Sequence, residues 1–593
     1  MYKNIAKKNM KNKTFIKGKD RDLESTISSL KQKLLDVNIN VKESSFLNPV
    51  PYVYSLHIHD ADYRMMFTNG KGASRMACEA SALGEYFERA SCNYFFADYY
   101  LGETFSKHEF VHYPNEKWFE FDDEDDVMPE GLLDEGLWSH YDPEKLLIPS
   151  QIFDTNSGAG ERGICALPFT RAKDNETIYF PVNIIGNIYV SNGMSAGNTK
   201  EEARVQALSE IFERYVKNKI IAEGICLPLI PNSVLARFPH IVESIKTLEV
   251  EGFNLRVCDA SLGGIYPVIS VTLINPKDGS VLASFGGHPS FEVALERTVT
   301  ELLQGRGLDM LTDFHAPSFN VEEVSDANNL EEHFINSTGL ISYEFFKEQS
   351  DYDFVDWDYD GTTAEEFKYL SNIIHENGFD IYISDYEHLG VYTCRILVPG
   401  MSDIYPIDDL QWANNNAGAV YREAILNLKN LDSQELEELF EALKEADLND
   451  MTRAIEFIGV VPDAGTLWAT LQMGELKAML AFALGKVEEA KEWNLWSLHS
   501  SGVKEEKVGF HRCLDALLEI KLDEDKNFND YTKSLVHMYG EDVIQTCVDI
   551  ISQKEKFFGI HSPGLTLEGF VNHNKLLDVY AKLHKAKAYN SPS

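Results

Sequence analysis

Ala82-Leu83-Gly84-Glu85-Tyr86-Phe87-Glu88-Arg89 and Ala207-Leu208-Ser209-Glu210-Ile211-Phe212-Glu213-Arg214 are two copies of one pattern, Ala-Leu-x-Glu-x-Phe-Glu-Arg. They lie 125 residues apart, and each follows an Asn-Gly opening, Asn69-Gly70 and Asn192-Gly193. On a helix, at about 100° per residue, Glu85 and Glu88 lie roughly 60° apart on one face. Leu83 and Phe87 lie on the nearly opposite face. Each helix is therefore expected to pack on its Leu and Phe and to present two carboxylates the other way. Like charges at this spacing cost a few tenths of a kcal/mol, a repulsion that a bound cation removes. Four hard oxygen ligands from two helices suit Mg²⁺ bridging the phosphates of a nucleotide. The competing reading is two solvated faces tied to Arg89 and Arg214.

A third helix, expected over Phe291–Gln304, carries Ala294-Leu295-Glu296-Arg297 and then Glu301. It echoes the first two but lacks Glu-x-x-Glu. A strand followed by an acidic helix is the recurring unit, so the fold class is α+β with internal repeats.

The bulk numbers set the frame. A chain of 593 residues is too long for one core and points to three or four domains. With 44% hydrophobic and 25% charged residues it has a soluble globular composition. The formal net charge of −40 argues against a nucleic-acid groove and is compatible with a basic protein partner. The lysines between Lys3 and Lys19 precede no apolar run, unlike a secretion signal. No stretch approaches the roughly 20 apolar residues of a membrane helix. The eight cysteines form no Cys-x-x-Cys and read as reduced, buried thiols of a cytoplasmic protein.

Along the chain, Asp22–Leu35 has the stripe of an amphipathic helix. Tyr52–Asp60 and Tyr63–Phe67 are expected as strands, and the first acidic helix over 74–93. The acidic run Asp122–Asp126 reads as a solvated loop. Ile178–Val190 is expected as a buried strand. Tyr266–Ile274 and Val281–Phe285 are expected to pair as a hairpin. Beyond about Leu431 strand signals vanish. Gly474–Gly485 and Val487–Leu498 read as a tetratricopeptide-like hairpin turning at Gly485. Leu476, Met479, Phe482, Trp493 and Trp496 offer more apolar surface than a small domain needs, which predicts a homodimer through this region.

Several motifs are absent or weak. There is no Gly-x-x-x-x-Gly-Lys-Ser/Thr phosphate loop and no Gly-x-Ser-x-Gly elbow. Gly70-Lys71-Gly72 and Gly286-Gly287 read as short glycine turns. His57-Ile58-His59 has no supporting ligands for a metal. The acidic helices lack the Glu-x-x-His of di-iron sites, which favours Mg²⁺ over iron.

Taken together, Ser81-Ala-Leu-Gly-Glu85-Tyr-Phe-Glu88-Arg89, Asn192-Gly-Met-Ser-Ala-Gly-Asn198, Glu210-Ile-Phe-Glu213-Arg214 and Ala294-Leu-Glu-Arg297-Thr-Val-Thr-Glu301 resemble the YcaO family. Leu47–Pro51, Val111–Phe119 and Ser384–Gly390 extend the resemblance over nearly the whole chain. It implies an ATP-binding fold without a phosphate loop. In that frame residues 1–68 are an N-terminal segment contributing to the nucleotide site, 69–425 the ATP- and Mg²⁺-binding core, and 430–593 a helical, dimerising C-terminal domain. By matching position, Glu85, Glu88, Glu210 and Glu213 would hold Mg²⁺ and, with Arg214 and Arg297, carry the reaction. Ser81, Asn198, Glu202, Gln206, Arg214, Arg297 and Glu301 would line the nucleotide, with Lys19 and Thr26 reaching in. The family pattern has Ser where Thr26 stands, and the hydroxyl is kept.

Family enzymes use ATP to activate a peptide backbone amide. The proline-rich tail of peptide-cyclising members is missing here, where Lys585–Ser593 holds one proline, so azoline synthesis is not expected. The likeness instead implies an accessory role in β-methylthiolation of protein twelve of the small ribosomal subunit. The partner would be that ribosomal protein or its radical-SAM methylthiotransferase. The chain itself lacks a Cys-x-x-x-Cys-x-x-Cys cluster motif. The alternatives are a nucleotide-gated adaptor for that enzyme and a carboxylate-bridged metal hydrolase.

Overall fold

Asp22 opens the first helix, α1 (Leu23–Asp36), by accepting the backbone N–H of Ser25. The computed structural model describes residues 13–121, 127–158, 162–446, 448–499 and 505–589. The acidic run 122–126 lies outside them.

After α1 come three antiparallel strands, β1 (Val41–Val50), β2 (Val53–Asp60) and β3 (Phe67–Gly72), in the order β1-β2-β3. Two readings change here. Strand β1 escaped the sequence because it is an edge strand with exposed residues from Lys42 to Phe46, so it carries no apolar alternation. The expected strand at 63–67 is a turn as far as Met66, and only Phe67 belongs to a strand, β3. The Asp60 carboxylate accepts the backbone N–H groups of Asp62 and Tyr63, which bends the chain there.

The first acidic helix, α2 (Arg75–Ser91), follows β3 and is capped by Ser74. A six-stranded antiparallel sheet runs β4 (Lys117–Phe119), β5 (Ile164–Arg171), β11 (Tyr382–Tyr386), β12 (Tyr392–Leu397) and β7 (Met194–Gly197), with β6 (Thr177–Pro181) beside β5. The expected strand over 178–190 ends at Pro181, and Val182–Tyr189 coil into helical turns. In that run apolar Ile184, Ile185, Ile188 and Tyr189 and polar Asn183 and Asn187 are buried alike, so its apolar period carries no signal.

The second acidic helix, α3 (Lys200–Glu223), follows β7 and is capped by Thr199. Next come α4 (Pro239–Val250) and a second three-stranded sheet, β10-β9-β8, from β8 (Asn254–Asp259), β9 (Val268–Ile274) and β10 (Val281–Gly287). Then follow α5 (Phe291–Leu302), α6 (Ala327–Ile335) and α7 (Thr363–Glu376). Leu83 and Phe87 of α2 are buried, as are Leu208 and Phe212 of α3, which leaves the glutamates on the other side. Helix α2 packs on β3 and β7, α3 on β7, β12 and β10, and α5 on β10, β9 and β3.

The glycines read as turns are strand residues pressed against these helices. A Cβ at Gly70 would stand 2.1 Å from the Cys78 carbonyl oxygen of α2. One at Gly287 would stand 2.5 Å from that of Ser209 on α3. Only glycine lets strand and helix backbones come this close.

The longer helices beyond residue 430 are α8 (Ser433–Glu445), α9 (Met473–Leu484), α10 (Val487–His499), α11 (Glu505–Leu522), α12 (Phe528–Tyr539), α13 (Glu541–Ile551) and α14 (Val571–Tyr589). The α9–α10 turn falls at Gly485, at φ +73°. Leu476 is fully buried, Met479, Phe482 and Trp493 pack on the same core, and Trp496 lies against Gly474. Part of the apolar surface that prompted the homodimer expectation is thus used inside the chain, and Met479, Phe482, Trp493 and Trp496 stay half-buried. Helix α14 returns to the first half of the molecule. Its Leu576, Val579, Tyr580 and Leu583 join Tyr86 and Phe87 of α2 in one core. The Tyr580 hydroxyl donates to the Val111 carbonyl, and His573 accepts from Val461 N while lying 2.9 Å from the Tyr100 carbonyl oxygen. All eight cysteines are buried and unbonded to one another.

Candidate functional site

Helices α2, α3 and α5 and the strap of residues 13–22 enclose a cavity of about 1010 Å³. All thirteen residues singled out from the sequence line it: Lys19, Thr26, Ser81, Glu85, Glu88, Asn198, Glu202, Gln206, Glu210, Glu213, Arg214, Arg297 and Glu301. Helical spacing does most of this. Ser81, Glu85 and Glu88 share one face of α2; Glu202, Gln206, Glu210 and Glu213 share one face of α3; Arg297 and Glu301 stand four apart on α5.

The two acidic helices are mirrored in detail. Arg89 pairs with Glu85 at 2.5 Å, and Arg214 pairs with Glu210 at 3.0 Å. Burial, then the charges of Glu210 and Glu85, push the Glu88 carboxyl well above the usual carboxylate range. Burial likewise raises Glu210. The Glu213 carboxylate accepts Gly287 N at 3.3 Å. Glu88 and Glu210 are thus carboxyls that burial and neighbouring carboxylates hold back from ionising, and the donors of the four glutamates are hard oxygens only. That chemistry fits Mg²⁺. The four glutamates do not close on a single point. Among the described residues, three ligand types come within 4.8 Å of one another at His112, Asp154 and Cys165, a buried cluster apart from the glutamates. Burial holds that thiol well above its ordinary value, so it is protonated.

The rest of the lining forms a connected network. Thr26 Oγ1 lies 2.9 Å from Asn198 Oδ1, and Asn198 donates to both Glu202 oxygens at 3.1 Å. Glu202 also accepts Asp20 N at 2.9 Å and faces Lys19 Nζ at 3.5 Å. Through these bonds the strap is tied to α3. Arg297 donates to Gln206 at 2.9 Å, bridging α5 to α3.

Three lining residues escaped sequence reasoning. Lys71 of β3 forms an ion pair with Glu301, and burial lowers its ammonium to about 8. The signal was present: Asn69 and Lys71 alternate on one strand face. Arg89 was read only as a partner of a solvated face. His288 follows Gly287, is 3% exposed, and accepts Ser290 N through Nδ1 at 3.0 Å. Its proton therefore sits on Nε2, beside Gly18 of the strap. His57 and His59 engage Asn69 and the Asp60 carbonyl.

The chain matches two family models, "YcaO cyclodehydratase, ATP- and Mg²⁺-binding" over residues 69–402 and "YcaO cyclodehydratase C-terminal domain" over 418–589. It is 54% identical over 579 residues to the ribosomal protein S12 methylthiotransferase accessory factor YcaO of Escherichia coli, covering 97% of this chain and 99% of that one. It is 51% identical over 586 residues to an uncharacterized protein of Haemophilus influenzae, covering 98% and 100%. Among solved structures, YcaO from Methanopyrus kandleri bound with AMPPCP and Mg²⁺ aligns with 66% of this chain and 93% of its own, at 17% identity and a TM-score of 0.40. No helix among the described residues is long and apolar enough to cross a membrane.

Proposed function

This chain belongs to the YcaO family, and from that premise we propose that it hydrolyses Mg-ATP to activate a backbone amide, in the service of ribosomal-protein methylthiolation. The observation that carries this reading is the mirrored pair of acidic helices facing one cavity, each glutamate pair flanked by its own arginine. Glu85, Glu88, Glu210 and Glu213 would hold Mg²⁺. When bound, the metal supplies positive charge to the phosphate oxygens.

The chain's own groups do the rest. Arg214 and Arg297 sit where negative charge would gather on the phosphates, and Gln206 holds Arg297 in place. Lys19 and the strap, tied to Glu202, shield the nucleotide from water. An amide oxygen is a poor leaving group until phosphorylated. In the proposed step that oxygen forms a bond to a phosphorus of ATP and the nucleotide portion leaves. A nucleophile then adds at the activated carbon, and phosphate departs with the oxygen. The Escherichia coli relative is named an accessory factor, which supports a role outside azoline synthesis. The partner on this reading is ribosomal protein S12 or the methylthiotransferase that modifies it.

Mass spectrometry of S12 from a deletion strain tests the role. Methylthiolation should fall without vanishing, and Glu88→Gln or Arg297→Ala should reproduce the loss. Unchanged S12 would remove the accessory role. Full rescue by both variants would favour an adaptor in which nucleotide turnover is incidental.

A further inference from the structure

Three cations converge on one stretch of chain at the cavity wall, His333–Ser337. Lys217 of α3 donates to the His333 carbonyl and, at 3.0 Å, to Ser337 Oγ. Arg306 donates to the Asn336 carbonyl at 2.6 Å and to Leu302 O at 3.5 Å. The Arg214 guanidinium lies over the Phe334 ring, 4.4 Å from its centroid. All three line the same cavity as the acidic helices.

What sets Lys217 and Arg306 apart is the nature of their partners. Every hydrogen bond they make in the described residues goes to a carbonyl or a hydroxyl. Neither has a carboxylate within salt-bridge distance among those residues, and Arg214 is already paired with Glu210. Lys217 is only 9% exposed. A cation held out of water without a counter-charge is costly, and hydrogen bonds to neutral groups offset only part of that cost. The acidic neighbour whose field reaches Lys217 is Glu213. That carboxylate also faces the metal end of the cavity. An ammonium has three N–H donors and a guanidinium five, so both groups keep donors unspent. At about 1010 Å³ the cavity stands at the upper end for a small-molecule site, with room for a nucleotide and a second group.

We propose that Lys217 and Arg306, bordered by Arg214, form a subsite for an oxyanion, a phosphate or carboxylate group. Fork-shaped and point-like donors side by side are the arrangement that such oxygens match. The subsite rests on the nucleotide reading in one respect: metal binding at Glu213 would withdraw the nearby negative charge and strengthen the demand for an anion. The anion has two sources, the terminal phosphate released from the nucleotide or an acidic side chain of the peptide substrate.

Calorimetric titration of the full chain separates the outcomes. The probes are inorganic phosphate, a short capped peptide with one aspartate and its asparagine counterpart. They are titrated with and without Mg-ADP. Wild type should bind phosphate or the aspartate peptide saturably, and binding should weaken with added salt. Lys217→Met and Arg306→Gln should each weaken it at least ten-fold. If the source is the nucleotide, both variants weaken a non-hydrolysable triphosphate but leave Mg-ADP within two-fold. If it is the peptide, both nucleotides bind as in wild type and only the aspartate peptide is lost. Arg306→Gln, at a half-buried position, carries the test should Lys217→Met fail to fold. Wild-type binding of every anion by a folded variant overturns the subsite, as does no anion binding by wild type. Anion binding in a protein that binds no nucleotide would overturn the ATP reading while leaving the subsite intact.

Discussion

The carboxyl of Glu88 on α2 is held away from ionisation by burial and, next, by the charge of Glu210, which reaches it from α3. Ionising Glu88 therefore costs free energy that Arg89 and Arg214 offset only in part. Replacing Glu88 by Gln should stabilise the metal-free protein at neutral pH, where the carboxyl would otherwise be driven to ionise. The same change should remove the stabilisation that Mg²⁺ gives wild type. Thermal melts with and without MgCl₂ read both effects. A Glu88→Gln protein that still gains the wild-type increment from Mg²⁺ would show that the metal sits elsewhere.

Catalysis gives a separate check. Glu85→Gln and Glu210→Gln should each lower ATP turnover at least a hundred-fold while the melting temperature stays within a few degrees. Solvated glutamates would tolerate the change, with stability shifts within about 0.5 kcal/mol. Wild-type turnover in both folded variants would sink the assignment.

Glu366 of α7 makes the pH prediction. It is 3% exposed, one oxygen has no partner, and burial with the nearby Asp20 and Asp360 raises its carboxyl to about 7, against the opposing pull of Lys17 and Lys19. A folded-state value above the unfolded one gives stability that is present below about 4.5 and lost as pH rises through about 7. Glu366→Gln carries no such loss. Its stability relative to wild type should therefore grow between pH 4.5 and 7.5 and then level off, by roughly 3 kcal/mol at most. Denaturant midpoints across that range measure it; a pH-independent difference would mean that the carboxyl titrates normally.

Two glycines offer a matched pair. Gly70→Ala drives a methyl into the backbone of α2 and should cost about 3 kcal/mol, with weaker Mg-nucleotide binding. Gly84, on α2 itself, has open space around its Cβ direction, so Gly84→Ala should stabilise by about 1 kcal/mol through helix propensity alone. Equal effects at the two positions would contradict the close approach of β3.

Tyr580→Ala should cost about 4 kcal/mol, because it empties a core position beneath α2 and leaves the Val111 carbonyl without its donor. Nucleotide binding should weaken at elevated temperature, although no residue of α14 lines the cavity. Wild-type melting behaviour in this variant would show that α14 is a passenger.

The acidic helices were legible because their chemistry is local: a repeated octapeptide fixes which face is apolar and which is charged. Strand β1 and the coil after Pro181 were not. Lys42-Glu43-Ser44-Ser45 alternates nothing, and Ile184-Ile185 and Ile188-Tyr189 are buried whichever way the chain winds. His288 needed the third dimension, since it meets the cavity just past the end of β10, beside Gly18 of the strap, a neighbour distant in sequence. The joining of α14 to the core that holds α2 spans nearly 500 residues of sequence, which no local pattern carries.

That joining has a bearing on how the protein is made. Ribosomes deliver α2 well before α14. Until residues 571–589 emerge, Tyr86 and Phe87 lack part of the core that seats the first glutamate pair. The hydrophobic core that Tyr86 and Phe87 share is complete only once residues 571–589 have been made.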